Sequence, residues 1–458
     1  MKRILSLVLA LLLVFVMAGC SSAPEAPEAT VAPEATDAAG TEAPAESEAP
    51  AEETPAESEA PAANADFKVG FIFLHDENST YDKNFMDAAT AVQQKLGLTD
   101  EQVMFKTNIP ESNECYEAAA ELVDAGCDVI FADSFGHEDY MIQAAREFPE
   151  VQFCHASGTQ AHTAGLANFH NAFADIYQGR YLAGIAAGMK INEMIEDGTI
   201  TADQAKMGYV GAFPYAEVKS GMTSFYLGAK SVCPTVTMDV RYTNSWFDIA
   251  KEKEAATSLI NDGCVVISQH ADSEGAPRAC EENNVPNVAY NISTIPIAPN
   301  TALISSAISW EPYFTLMIES AMNGEEIPTD YCATIEEGGV ILTELNTACA
   351  AEGTQEAIDA AMEQLLSGEL HVFDTANFTV GGETLTSYMA DVDTDADFTP
   401  DTEAISDGYF HESEYRSAPY ESAGYNRSRC KHCFIRTGHG ISSSRLHERR
   451  CAGSGRCA

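Results

Sequence analysis

Four short stretches of this chain hold residue types able to grip or transform a small molecule: His75-Asp-Glu-Asn-Ser-Thr-Tyr-Asp-Lys-Asn84, Asp133-Ser-Phe-Gly136, Thr243-Asn-Ser-Trp-Phe-Asp248 and Gln269-His-Ala-Asp-Ser273. Each mixes amides, hydroxyls or carboxylates, and three of them add an aromatic ring, Tyr81, Phe135 and Trp246. Aromatic faces with a few polar groups suit a flat heterocycle, stacked on its face and hydrogen-bonded at its rim. Asn84, Ser134, Asp248 and Asp272 would then supply rim contacts, the two aspartates accepting ring N–H groups. A plainer role is also open. The aromatics could be packing residues between lobes, and Asp248, just ahead of a helical stretch, suits an N-cap. Catalysis finds less support. There is no Gly-x-Ser-x-Gly, no phosphate-cradling glycine loop and no His-Glu-x-x-His. His270 and Asp272 lack the third partner that an activated nucleophile needs. No enzyme activity, cofactor or metal is expected.

These stretches follow segments that read as strands. Phe67–Leu74 is a buried-type apolar run, and Asp82–Leu96 carries helical spacing. Further strands over 103–107, 129–132 and 151–154 alternate with helices over 112–125 and 138–147. The series restarts near 168–175 with a helix over 174–190. Strands over 206–212, 237–242, 265–268 and 287–290 then alternate with helices over 216–231, 248–262 and 274–283. A helix over 310–323 and a strand over 338–342 come last. Short strands alternating with helices predict parallel sheets covered on both faces. Two such halves in succession predict an α/β protein of two doubly wound lobes, with ligand in the cleft beyond the carboxyl ends of the strands. The expected division puts 66–172 and about 300–330 in lobe 1, and 173–299 and about 331–405 in lobe 2.

Outside this body the composition changes. Residues 1–20 combine Lys2 and Arg3, an apolar run from Ile4 to Met17, and Ala18-Gly19-Cys20. That run is too short for a spanning helix and reads as a secretory signal. Residues 21–65 are almost entirely Ala, Pro, Glu, Ser and Thr, an extended stalk that cannot bury enough apolar surface to fold. From Arg427 to Ala458 there are eight Lys or Arg and one acidic residue. Cys430-x-x-Cys433 and His447-x-x-x-Cys451 imitate a zinc-finger spacing there without the hydrophobic positions of a finger. Residues 411–458 are expected to be a tail without fold or function, in keeping with a shifted reading frame. The formal charge of −45 argues against nucleic-acid binding. Of thirteen cysteines, the eight in the body show no paired spacing, and several sit in apolar contexts as small core residues.

The chain also resembles a known family. Tyr177-Gln-Gly-Arg-Tyr-Leu-Ala-Gly184, Gly208-Tyr-Val-Gly-Ala-Phe-Pro214, Thr243–Asp248, Gln269–Ser273 and Trp310-Glu-Pro-Tyr-Phe314 look like the basic membrane protein (Bmp) family of bacterial lipoproteins, the substrate-binding components of ABC importers. The likeness covers about 67–405. It implies a type I periplasmic-binding-protein fold, and the Met-Ala-Gly-Cys ending resembles a lipobox in which Cys20 is lipidated. In nucleoside-binding members two aromatics sandwich the purine, and by loop position these fall on Tyr81 and Trp246. Those members hold the ribose with an acidic residue and a lysine whose matching places are Asn291 and Ser309. Loss of both charges points to a free purine base such as adenine, while other relatives bind riboflavin. Asn291 joins the candidate ligand-binding set. The resemblance further implies a membrane tether through lipid, an importer permease as partner and a monomeric receptor. A surface sensor on the same fold is the alternative.

Overall fold

A computed structural model of the protein describes residues 66–380, 382–391, 402–413 and 435–436. The signal, the stalk and nearly all of the tail lie outside the described residues. The run Val69–Ile72 (β1) is wholly buried because strands covered on both faces need apolar residues on both. It is followed by α1 (Thr80–Leu96), whose N-cap Ser79 accepts from the Asp82 amide and which Gly97 ends in the left-handed region at φ 67°. The same unit repeats through β2 (Val103–Lys106), α2 (Asn113–Asp124), β3 (Val129–Ala132), α3 (Glu138–Glu147), β4 (Gln152–Ala156), the single turn α4 (Ala161–Ala164) and β5 (Phe169–Ala174). The chain then enters a second lobe with α5 (Ile176–Glu196), β6 (Lys206–Gly211), α6 (Ala216–Val232), β7 (Thr237–Tyr242), α7 (Ile249–Asn261), β8 (Val266–His270), α8 (Gly275–Asn283), β9 (Asn287–Tyr290) and β10 (Ala302–Ile308). It returns to the first lobe for α9 (Glu311–Asn323) and β11 (Asp330–Ala333), and ends in the second with β12 (Val340–Leu342) and α10 (Thr354–Leu366).

The first sheet runs β11-β5-β4-β3-β1-β2 and is parallel throughout; β1 lies between β2 and β3, with Val69 opposite both Val103 and Val129. The second runs β12-β10-β9-β8-β6-β7, parallel except for β12 at its edge. Each sheet reverses its strand order beside its first strand, which opens a crevice at the carboxyl ends. The core of lobe 1 includes Phe71, Phe85, Phe131, Trp310 and Phe314, with Phe85 and Trp310 stacked at 4.4 Å. In lobe 2, α5 is buried without a break from Gly179 to Gly188. It packs backbone to backbone on α6. A Cβ at Gly228 would lie 1.9 Å from the Tyr181 carbonyl oxygen, and one at Gly184 2.1 Å from that of Phe225.

Three of the expected boundaries move. Residues 302–308 pair with β9 in the second sheet, so the return to lobe 1 falls at Ser309 rather than near 300. Asp330–Ala333 closes the edge of the first sheet against β5, so lobe 1 runs past 330. Residues 411–413 belong to the packed body rather than to a tail. The Phe410 and His411 amides donate to the Phe373 and Ala404 carbonyls, and Glu412 is buried. Residues 435–436 pair antiparallel with 379–380.

Candidate functional site

Between the lobes lies a cleft. From the first lobe Leu74, Tyr81, Ser134, Phe135, Ser157 and Phe173 line it, and from the second Glu217, Trp246, His270, Asp272 and Tyr290. All stand at or just past the carboxyl ends of strands, or in the first turn of the helix that follows. The lobes touch across it. The Thr80 amide and hydroxyl both donate to the Asp272 carbonyl, at 2.7 and 3.1 Å. Phe135 meets Tyr215 at 5.8 Å and His75 meets Phe247 at 5.1 Å. This is a closed arrangement.

On the first lobe the lining is held from behind. The Tyr81 hydroxyl donates to the Asp133 carbonyl at 2.8 Å. One oxygen of Glu111 accepts both the Ser134 hydroxyl and the Gly136 amide, at 2.7 and 2.8 Å. Burial drives the Asp133 carboxyl well above the usual carboxylate range, and the neighbouring Asp82 adds to the shift. On the second lobe Trp246 stands edge-on to Phe213 at 5.1 Å. Glu252 ties two loops together, accepting the Asp248 amide on one oxygen and the Ser273 amide on the other, both at 3.0 Å. Gln269 donates to the Ala271 and Ser273 carbonyls. His270 Nε2 is 2.6 Å from Glu217, and the Tyr209 hydroxyl is 3.3 Å from His270 Nδ1. The Arg180 guanidinium lies over the Tyr290 ring at 3.6 Å. Burial pushes the Asp272 carboxyl up, with Glu252, Asp82 and Glu217 reinforcing it. Its side chain makes no hydrogen bond with the described residues, which leaves it free to meet a ligand.

Five of the eight candidate ligand-binding residues therefore share the cleft: Tyr81, Ser134, Phe135, Trp246 and Asp272. Three do not line it. Asn84 donates its side-chain amide to the Ile308 carbonyl at the crossing between lobes. Asp248 is the N-cap of α7, accepting the Lys251 amide at 2.9 Å and pairing with its ammonium. Asn291 is buried, at φ 73°, with its backbone N–H donating to the Ser306 carbonyl. Leu74, Ser157, Phe173, Glu217, His270 and Tyr290 also line the cleft and were not among the candidate ligand-binding residues. Apart from Glu217, they stand within two residues of a strand's carboxyl end, so the carboxyl-end rule applied residue by residue would have found them. Glu217 was hidden in the first turn of α6. Among the described residues no group of three or more His, Cys, Asp or Glu is placed to hold a metal, and no helix is long and apolar enough to cross a membrane.

Two parallel-sheet lobes closing on one lined cleft define a solute-binding protein of the periplasmic-binding-protein type. The chain belongs to the Bmp family: the family model described as ABC transporter substrate-binding protein, PnrA-like, matches residues 72–372. The chain is 30% identical over 316 residues to a purine-binding protein of Brucella abortus, covering 68% of this chain and 84% of that protein. A protein of Haloferax volcanii, named as a candidate ABC transporter glucose-binding protein, is 35% identical over 251 residues, 55% of this chain and 60% of its own length. Among solved structures, a solute-binding protein from Aeropyrum pernix superposes with a TM-score of 0.57 at 16% identity, covering 67% of this chain and 93% of that one. One from Conexibacter woesei reaches 0.54 at 20%, covering 67% and 98%. These two structures carry the fold alone.

Proposed function

We propose that this chain is the extracytoplasmic receptor of an ABC importer for a purine-type ligand, a free base such as adenine or a nucleoside, and that it delivers the ligand unchanged. The observation that supports this most is the placement of Tyr81 and Trp246. They come from opposite lobes and line one cleft that also holds the carboxyl groups of Asp272 and Glu217. Two aromatic rings from separate lobes can clasp a planar ring only when the lobes close, so ligand binding and closure become one event. The closed form would dock on the permease as a monomer. Cys20, outside the described residues, would be the lipid anchor and 21–65 the spacer from the membrane.

A second reading has its own support. Aromatic rings and carboxylates also suit a sugar, and a relative at 35% identity is named for glucose. Riboflavin remains a third ligand for the same cleft. Mass spectrometry of the small molecule released from purified, denatured protein separates these outcomes, backed by calorimetry with adenine, adenosine, riboflavin and glucose. We expect a purine. A ligand at a hundred times its dissociation constant adds about 2.7 kcal/mol of stability. Replacing Trp246 or Tyr81 with Ala should weaken purine binding by about 1–3 kcal/mol, the range for base stacking on aromatics. Release of a sugar, or full affinity in Trp246→Ala, would overturn the purine reading.

A further inference from the structure

Glu217 is the one cleft carboxylate whose setting fixes what it can do. It sits in the first turn of α6, where the positive end of the helix favours an anion. Its side chain is 20% exposed and lines the cleft, while Oε1 is buried and stands 2.6 Å from His270 Nε2. The ring of His270 is only 3% exposed, with the Tyr209 hydroxyl at Nδ1. Despite the approach of Nε2, Glu217 Oε1 makes no hydrogen bond with the described residues, so the carboxylate keeps acceptor capacity for a ligand. Arg180 lies over Tyr290 and donates through Nη1 to the Gln269 carbonyl, while its Nε and Nη2 are buried without partners among the described residues. Neither Arg nor Lys lines the cleft.

Resting on the purine reading, we propose that Glu217, held in place by His270, is the specificity-determining residue that requires an N–H or NH₂ donor on the ligand edge facing α6. A donor there completes the carboxylate. A methyl or a carbonyl there leaves a desolvated anion without a partner, and that loss costs more than the hydrogen bond itself contributes. His270 acts through Glu217 and is a positioning residue.

The test pairs ligand groups with protein variants, so that their coupling is read rather than a bare loss of affinity. Adenine, 9-methyladenine and N6,N6-dimethyladenine are titrated by calorimetry into the wild-type protein, Glu217→Gln and Glu217→Ala, with thermal unfolding to confirm that each variant folds. The wild type should reject at least one methylated analogue tenfold or more relative to adenine, equal to about 1.4 kcal/mol. Both Glu217 variants should shrink that ratio at least fivefold and leave the other analogue's ratio alone. His270→Gln keeps a polar neighbour beside Glu217 and should preserve the ratio, whereas His270→Leu should lose it. A ratio unchanged in both Glu217 variants would overturn the assignment, as would a wild type that binds adenine and rejects neither analogue. A wild type that binds no purine at all would remove the purine reading itself, and the assignment with it.

Discussion

Gly228→Ala tests the closest approach in the second lobe. An added methyl group would lie 1.9 Å from the Tyr181 carbonyl oxygen, where ordinary contact begins at 3.4 Å, so α5 and α6 would have to part by about 1.5 Å. Both partners of the clash are backbone, and no side chain can turn aside to relieve it. Alanine is the better helix former by about 1 kcal/mol, which works against the clash. Overpacking of this kind typically costs about 1–3 kcal/mol and sometimes more, and here the strain falls on a whole helix pair. We expect a net loss of about 2 kcal/mol or more, lowering the melting temperature by about 4–8 °C on the usual scaling. The displacement also moves the first turn of α6, which carries Glu217, so ligand affinity should fall with stability. Thermal unfolding of the ligand-free protein and calorimetry of the same samples give both numbers. Gly184→Ala, at 2.1 Å, should behave alike, and Gly188→Ala, at 2.5 Å from the Ala229 oxygen and Val232 Cγ2, should be milder. A Gly228→Ala protein melting at or above the parent would refute this account of the packing.

Further outcomes follow from other residues. Asp248→Ala removes an N-cap and should cost about 1 kcal/mol of stability with ligand affinity unchanged; a large affinity loss without destabilisation would return Asp248 to the ligand. Burial lowers the His170 imidazole to about 4, below its ordinary range, so its stabilising contribution is present at neutral pH and lost as pH falls from about 6.5 through 4. The stability deficit of His170→Gln, measured by urea unfolding, should therefore shrink between pH 7 and pH 4.5; a deficit that grows would reverse the sign. Cys20→Ala should abolish metabolic labelling by fatty acid and leave ligand binding intact, and labelling equal to the parent would remove the lipid anchor.

Much of this architecture could be read from periodicity, because β1 and β3 are apolar runs between helices with clear punctuation. Two elements that the sequence reading left out lacked that signal. The edge strand β11 reads Asp-Tyr-Cys-Ala, only partly buried and with no run to detect. The helix α10 has few buried positions, Thr354 and Ile358 among them. The site divided along a similar line. Trp246, Tyr81 and Phe135 stood out because large rings in polar loops are unusual. Tyr290, Phe173 and Leu74 looked like the last core residues of their strands, and only the facing lobe turns those ends into a cavity wall. Asp248 met the rule for a cap and the rule for a ligand acceptor equally well, and the local geometry of α7 chose the cap.

The chain passes between the lobes at Asp175, at Ser309 and over 334–339, and hydrogen bonds stitch these passages together: Asp175 N–H to the Ala333 carbonyl and Ser309 N–H to that of Gly339. A single strand would let one lobe swing and twist about the other. Three parallel cables lashed side by side permit little except rotation about their common line. If ligand binding closes the lobes about these crossings, such a body would behave as a one-axis gauge, in which the separation of two points on opposite lobes follows a single angle. A pair of dyes, one on α2 and one on α7, would therefore report occupancy as a distance. An instrument for measuring its ligand in a cell extract could be built on this chain without touching the cleft.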